Sequence, residues 1–108
     1  MSFSTPLNVR QEGSGTGELP WIVLNAHGVP TFTANLIVSG TVTASIEATL
    51  VNPARATPAG DDIFTLQDWN GITTTTAGTV ANQPLAAIRL NQTAGTGSTV
   101  FQIQQNGG

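Results

Sequence analysis

The ten residues Thr41-Val42-Thr43-Ala44-Ser45-Ile46-Glu47-Ala48-Thr49-Leu50 decide how this chain is read. Val42, Ala44, Ile46, Ala48 and Leu50 fall on one side of an extended backbone. Thr41, Thr43, Ser45, Glu47 and Thr49 fall on the other. Successive side chains of a strand point to opposite faces, so strict alternation predicts a strand with one buried face.

Working outward, the same grammar repeats. Before this strand, Phe32, Ala34, Leu36 and Val38 recur at every second position, and Gly40 supplies the turn between the two runs. Trp21-Ile22-Val23-Leu24 is a brief apolar run ahead of Gly28 and Pro30. After the decisive strand, Pro53, Pro58 and Gly60 set a loop over residues 52–61. Ile63–Leu66 then reads as a strand with Phe64 and Leu66 inward. Asn70-Gly71 is a turn signal. Thr73-Thr74-Thr75-Thr76 is β-prone without an apolar face, which suits an edge strand or extended loop. Leu85–Asn91 carries Ala86, Ile88 and Leu90 on one face and Arg89 on the other; Thr99–Gln105 carries Phe101 and Ile103 inward. With Gly95-Thr96-Gly97 between them, residues 85–105 are expected to form a terminal hairpin.

No segment combines helical spacing with a cap and a stop. The expectation is an all-β chain: a single antiparallel β-sandwich, jelly-roll-like, of six to eight short strands. Its core is expected at Phe32, Leu36, Val42, Ile46, Leu50, Phe64, Leu66, Ile88, Leu90, Phe101 and Ile103. Residues 1–20 differ in character. Gln11-Glu12-Gly13-Ser14-Gly15-Thr16-Gly17 alternates glycine with small polar residues, as flexible linkers do. Residues 1–20 are therefore expected to be an extended N-terminal arm or flexible segment, with Phe3, Leu7 and Val9 able to lie on a neighbour, and 21–108 the sandwich.

Composition narrows the function. Only 8% of the residues are charged, against about 25% in typical domains. There is no lysine; Arg10, Arg55 and Arg89 are the basic residues, and the net charge is −3. Nucleic-acid binding needs a basic patch to displace counterions from phosphates, and three scattered arginines do not make one. A polybasic membrane site fails for the same reason. Weak charge gives little self-repulsion, so a surface of Thr, Ala and Gln is safest when neighbours cover much of it. With no cysteine, disulfides and thiolate metal sites are out. Residues 1–20 lack the apolar run of a signal peptide, and no apolar run approaches the ~18 residues of a membrane helix, so synthesis in a cytoplasm is expected.

Catalytic constellations are sparse. His27, the one histidine, sits beside Gly28 and reads as a loop residue. Asp61, Asp62 and Asp68 lack the spacing of a calcium loop. Gly95-Thr96-Gly97-Ser98-Thr99 resembles a phosphate loop but has no Lys and leads into a strand, and Gly13-x-Gly15-x-Gly17 follows no clear strand. No G-x-S-x-G elbow exists for a serine nucleophile. No catalytic residue, metal or cofactor is expected. Trp21 and Trp69 are the aromatic groups able to stack on a sugar or anchor an interface, with burial at a sandwich edge as the plainer reading.

From Gly40 onward the chain resembles small structural proteins of tailed-bacteriophage virions. The resemblance lies in Thr41-Val42-Thr43-Ala44-Ser45-Ile46-Glu47, Phe64-Thr65-Leu66, Pro84-Leu85-Ala86-Ala87-Ile88-Arg89-Leu90-Asn91 and Gly97-Ser98-Thr99-Val100-Phe101-Gln102-Ile103-Gln104-Gln105-Asn106-Gly107-Gly108. It departs at Asn52-Pro53-Ala54-Arg55-Ala56-Thr57-Pro58, where related patterns are rich in Gly, Asn and Asp. The resemblance implies a β-sandwich or jelly roll without enzyme chemistry. It implies a capsid decoration (cement) protein on the virion's capsid surface, made in the host cytoplasm, partnered by the major capsid protein and by itself as a dimer or trimer. A tail or collar component and a carbohydrate-binding surface module are the alternatives. The candidate partner-contacting residues are Phe3, Leu7, Val9, Arg55 and Trp69.

Overall fold

The structure, a computed structural model, describes residues 7–24, 31–82 and 85–105. Nine strands lie within them: β1 (Leu7–Ser14), β2 (Gly17–Glu18), β3 (Ile22–Val23), β4 (Thr31–Ser39), β5 (Thr43–Thr49), β6 (Ile63–Thr65), β7 (Thr76–Asn82), β8 (Ala87–Ala94) and β9 (Ser98–Gln105). Single 3₁₀ turns at Gly60–Asp62 and Gln67–Trp69 flank β6.

The pairings nest. β1 pairs with β9, β2 and β3 with β8, β4 with β7, and β5 with β6, all antiparallel. This is one long hairpin whose tip lies between β5 and β6. Rolling that hairpin adds two further contacts, β4 with β9 and β5 with β8. The first sheet then has the order β1-β9-β4-β7, and the second runs β2-β8-β5-β6 with β3 also on β8. A long hairpin rolled so that its arms alternate between two sheets is a jelly roll.

The apolar faces of the two sheets meet in one core. Phe32, Leu36, Ile46, Ile88, Leu90, Phe101 and Ile103 are buried there, with Val42, Ala44 and Ala48 from the decisive stretch. Two expected core residues are not buried. β5 ends at Thr49, and Leu50 stands in a bend, 69% exposed. Phe64 pairs with Ala48 and shares its face, but β6 is a three-residue strand at the sheet edge, so the ring is 37% exposed. Nor is the outer side of β5 simply wet: Ser45 and Thr49 are buried. The Ser45 hydroxyl donates to Asn70 Oδ1 and accepts from the Gly71 N–H, both at 3.0 Å, which lays the Asn70-Gly71 turn across it.

The expected terminal hairpin is corrected as well. β8 and β9 lie in different sheets, so the Gly95-Thr96-Gly97 turn is an arch across the sandwich. It packs on the parallel arch between β4 and β5, where the Gly97 N–H donates to the Thr41 carbonyl at 2.8 Å. A Cβ on Gly97 would lie 2.3 Å from the Ser39 carbonyl oxygen, and one on Gly95 2.1 Å from that of Thr41. Backbone meets backbone here, and only glycine leaves the room.

The boundary expected after residue 20 does not separate an arm from the sandwich. Residues 7–14 pair with β9 along their whole length, from Leu7 opposite Gln105 to Ser14 opposite Ser98. Leu7 and Val9 pack against the chain's own core.

Candidate interaction surfaces

The residues singled out for partner contact do not converge. Leu7 and Val9 are half-buried on β1, at one edge of the first sheet. Arg55 is exposed beyond β5, in a turn where its N–H donates to the Asn52 carbonyl at 2.9 Å. Trp69 is 3% exposed and belongs to the core cluster. The 3₁₀ turn Gln67–Trp69 carries it into the core past the short end of β6, so it presents no ring face to a sugar or a partner. Phe3 and His27 lie outside the described residues.

A charged cluster occupies the outer face of the second sheet. Glu47 on β5 stands opposite Arg89 on β8. Arg89 Nε donates to Glu47 Oε1 at 2.7 Å, and Arg89 Nη1 lies 3.4 Å from Glu18 Oε2. The guanidinium carbon sits 4.4 Å from the centre of the Trp21 ring. Asn91 Nδ2 donates to the second Glu47 oxygen at 3.3 Å. The Arg89 and Glu47 side chains are only 14% and 17% exposed, so the pair is screened less than a surface pair. The arrangement binds the broken β2–β3 edge to the middle of the sheet, and Arg89 takes one face of Trp21. The alternation in the sequence puts Glu47 and Arg89 on outer faces but carries no register with which to join them.

The Gly13–Gly17 turn closes over a cavity of about 110 Å³ lined by Leu19, Leu90, Gln92 and Thr99. Gln92, 3% exposed, directs its Nε2 at the carbonyls of Ala94, Gly95 and Gly97, at 3.4, 3.0 and 3.3 Å. Those three acceptors fix the amide's orientation and leave Oε1 without a donor among the described residues. The buried polar atom left without a partner is an acceptor, the Glu18 carboxylate lines the same cavity, and no helix follows the loop, so the site does not suit a phosphate. The site suits a buried water.

The outer face of the first sheet is different: nearly neutral, with a shallow depression lined by Asn8, Thr33, Asn35, Gln102 and Gln104. Asn8, Gln104, Thr33 and Thr79 form one row across β1, β9, β4 and β7, and Arg10, Gln102, Asn35 and Ala77 form the next. Asn35 Nδ2 donates to Gln102 Oε1 at 3.0 Å in the middle of it. Among the described residues, charge enters this face only at the β1 edge, where Arg10 Nη1 meets Glu12 Oε1 at 2.8 Å. Among the described residues, no three His, Asp or Glu side chains gather as a metal site would require.

No protein-family model and no curated protein sequence matches this chain. Solved structures similar to it include a de novo designed double-stranded β-helix, at 14% identity and a TM-score of 0.43, covering 93% of this chain and 99% of that one. A protein of the acid-stable capsid of Helicobacter pylori bacteriophage KHP30 matches at 14% identity and a TM-score of 0.40, covering 97% and 90%. A protein of the disulfide-linked pili that form Bacillus endospore appendages matches at 13% and 0.37, covering 95% and 89%. The jelly-roll assignment stands on strand order, and likenesses at these scores add nothing about role.

Proposed function

We propose that this protein is a non-enzymatic structural subunit of a tailed-phage virion, and specifically a decoration protein that lies on the capsid surface and stabilises the head. The observation that carries the reading is the outer face of the first sheet. Protein contacts that must desolvate charge are costly, whereas amides and hydroxyls exchange water for partner hydrogen bonds at little net cost. Asn8, Gln104, Thr33 and Thr79 in one row, with Gln102 and Asn35 in the next, supply such a surface on a four-stranded support. The resemblance from Gly40 onward supports the same class. Many copies on a lattice turn weak individual contacts into firm attachment. A tail or collar position would use the same chemistry elsewhere in the particle.

The test is addition of the purified protein to phage heads assembled without it. Binding, with a higher temperature for head disruption, is expected. Asn35→Arg, which sets a charge in the middle of the face, should abolish binding while the variant's own melting temperature holds. Heads that neither bind the protein nor gain stability rule the decoration role out.

A further inference from the structure

Sheet edges are sites of unwanted pairing, and proteins blunt them with short strands, proline or bulges. Three edges of this sandwich are blunted in those ways. β6 has three residues. β2 and β3 have two residues each, with Pro20 between them. β7 shifts register opposite Phe32 and Thr33, which leaves Val80 as the extra residue of a bulge. β1 is unlike them. It runs eight residues in unbroken register, without proline, and no described residue pairs with its far side.

The phase of that free edge can be read. The Gly15 N–H donates to the Gly97 carbonyl at 3.1 Å, continuing the β1–β9 register. Hydrogen-bonded pairs recur at every second residue of an antiparallel ladder. Odd-numbered residues of β1 therefore turn their backbone groups to β9. Asn8, Arg10, Glu12 and Ser14 turn theirs outward.

We infer that β1 is a homodimer interface, pairing antiparallel with β1 of a second copy about a two-fold axis at Gln11. A two-fold axis through a residue places like-facing side chains opposite one another, and centres at residues 10 and 11 pair more of the Leu7–Ser14 strand than any other centre does. Centred on residue 10, Arg10 would face its own copy; centred on residue 12, Glu12 would face its own. Both are repulsive. Centred on residue 11, Arg10 of each chain faces Glu12 of the other, so each β1 is its own charge complement. In the same register Asn8 faces Ser14, and all four outward-turned residues meet outward-turned partners, as the ladder requires. Gln11 faces Gln11. Its Nε2 donates to the Pro20 carbonyl at 3.2 Å, while its buried Oε1 has no donor among the described residues. Leu7 and Val9, half-buried in one copy, gain cover from the glycines opposite them.

The occupant is a second copy of this chain, and the inference does not need the capsid reading: it concerns an edge, not the face, and is tested without heads. An eight-residue edge buries less than the roughly 1,200 Å² of a standard interface, so a weak dimer is expected. Sedimentation of the full chain up to about millimolar concentration should show a concentration-dependent dimer. Arg10→Glu or Glu12→Arg alone should weaken it at least tenfold, and the double exchange Arg10→Glu/Glu12→Arg should restore it. Because the chain has no cysteine, Gln11→Cys gives one thiol, placed at a non-hydrogen-bonded pair about 4.5 Å apart. It should oxidise to a covalent dimer, and Val9→Cys and Gly13→Cys, folded alike by circular dichroism, should not. A chain that stays monomeric throughout, or a dimer indifferent to both single charge changes, overturns the inference. So does cross-linking that favours Val9→Cys or Gly13→Cys over Gln11→Cys.

Discussion

Replacing Gly97 by alanine tests how the two sheets are joined. Gly97 has no left-handed backbone requirement, so the substitution acts through space alone. The added Cβ would lie 2.3 Å from the Ser39 oxygen, 2.8 Å from Val42 Cγ2 and 2.9 Å from the Thr41 nitrogen. Two of these are backbone atoms and cannot rotate aside. The arches must part by roughly 1 Å to reach ordinary contact. Overpacking of this kind costs about 1–3 kcal/mol. Parting also stretches the 2.8 Å bond from Gly97 to Thr41, worth about 1 kcal/mol net. The combined loss is about 2–4 kcal/mol, on the order of 10–25 °C in melting temperature for a domain of this size. Gly60 is the control. It has φ +56° and no atom within 4 Å of a built Cβ, so Gly60→Ala carries only the left-handed penalty of about 1–2 kcal/mol. Thermal and urea unfolding of both variants against the parent should rank Gly97→Ala well below Gly60→Ala. Equal melting, or the reverse order, would refute the claim that backbone-to-backbone contact between the arches demands glycine.

Other outcomes follow from burial and pairing. Phe101→Ala, in a fully buried position, should cost about 3–5 kcal/mol in urea titration, and Leu50→Ala, at an exposed bend, no more than about 0.5 kcal/mol. Trp69→Ala should destabilise by about 3–5 kcal/mol; a glycan array whose signal vanishes in a Trp69→Phe variant of unchanged melting temperature would contradict its burial. Arg89→Met keeps the aliphatic stem but removes the Glu47 bond and the cation over Trp21. It should cost about 1–3 kcal/mol and shift the Trp21 emission to longer wavelength, as read by fluorescence during unfolding.

The inner strands are legible in the sequence because each has an apolar face. β4, β5, β8 and β9 carry an alternating apolar face that is buried, although Ser45, Thr49 and Ala87 are buried on the opposite side as well. Most of β7 is not legible there, because Ala77-Gly78-Thr79 offers too little apolar surface to register as a face. β1 was legible only as Leu7 and Val9, since a strand at an edge needs half the cover of a central one and can continue through Gln11 and Gly13. Consecutive strands usually pair, and a short glycine-rich turn serves a hairpin and an arch alike. Nothing local therefore told β8 and β9 that they belong to opposite sheets. The Arg89 cluster and the free edge of β1 depend on register, which is a property of the rolled pair and not of any one segment.

The nesting of β1 on β9 has a consequence for how the molecule is made. Synthesis runs from the first strand to the last, and the residues that complete the first sheet beside β1 emerge more than eighty positions after it. At about 5–20 residues per second, β1 spends several seconds outside the ribosome with neither of its edges occupied. Such long-range closure makes folding slow, because the largest loop must be shut before its contacts reward it. On a crowded polysome, nascent copies of the same strand are then near neighbours during that wait. The strand that is made first is thus the last to find its place, and its edges stay open for longest.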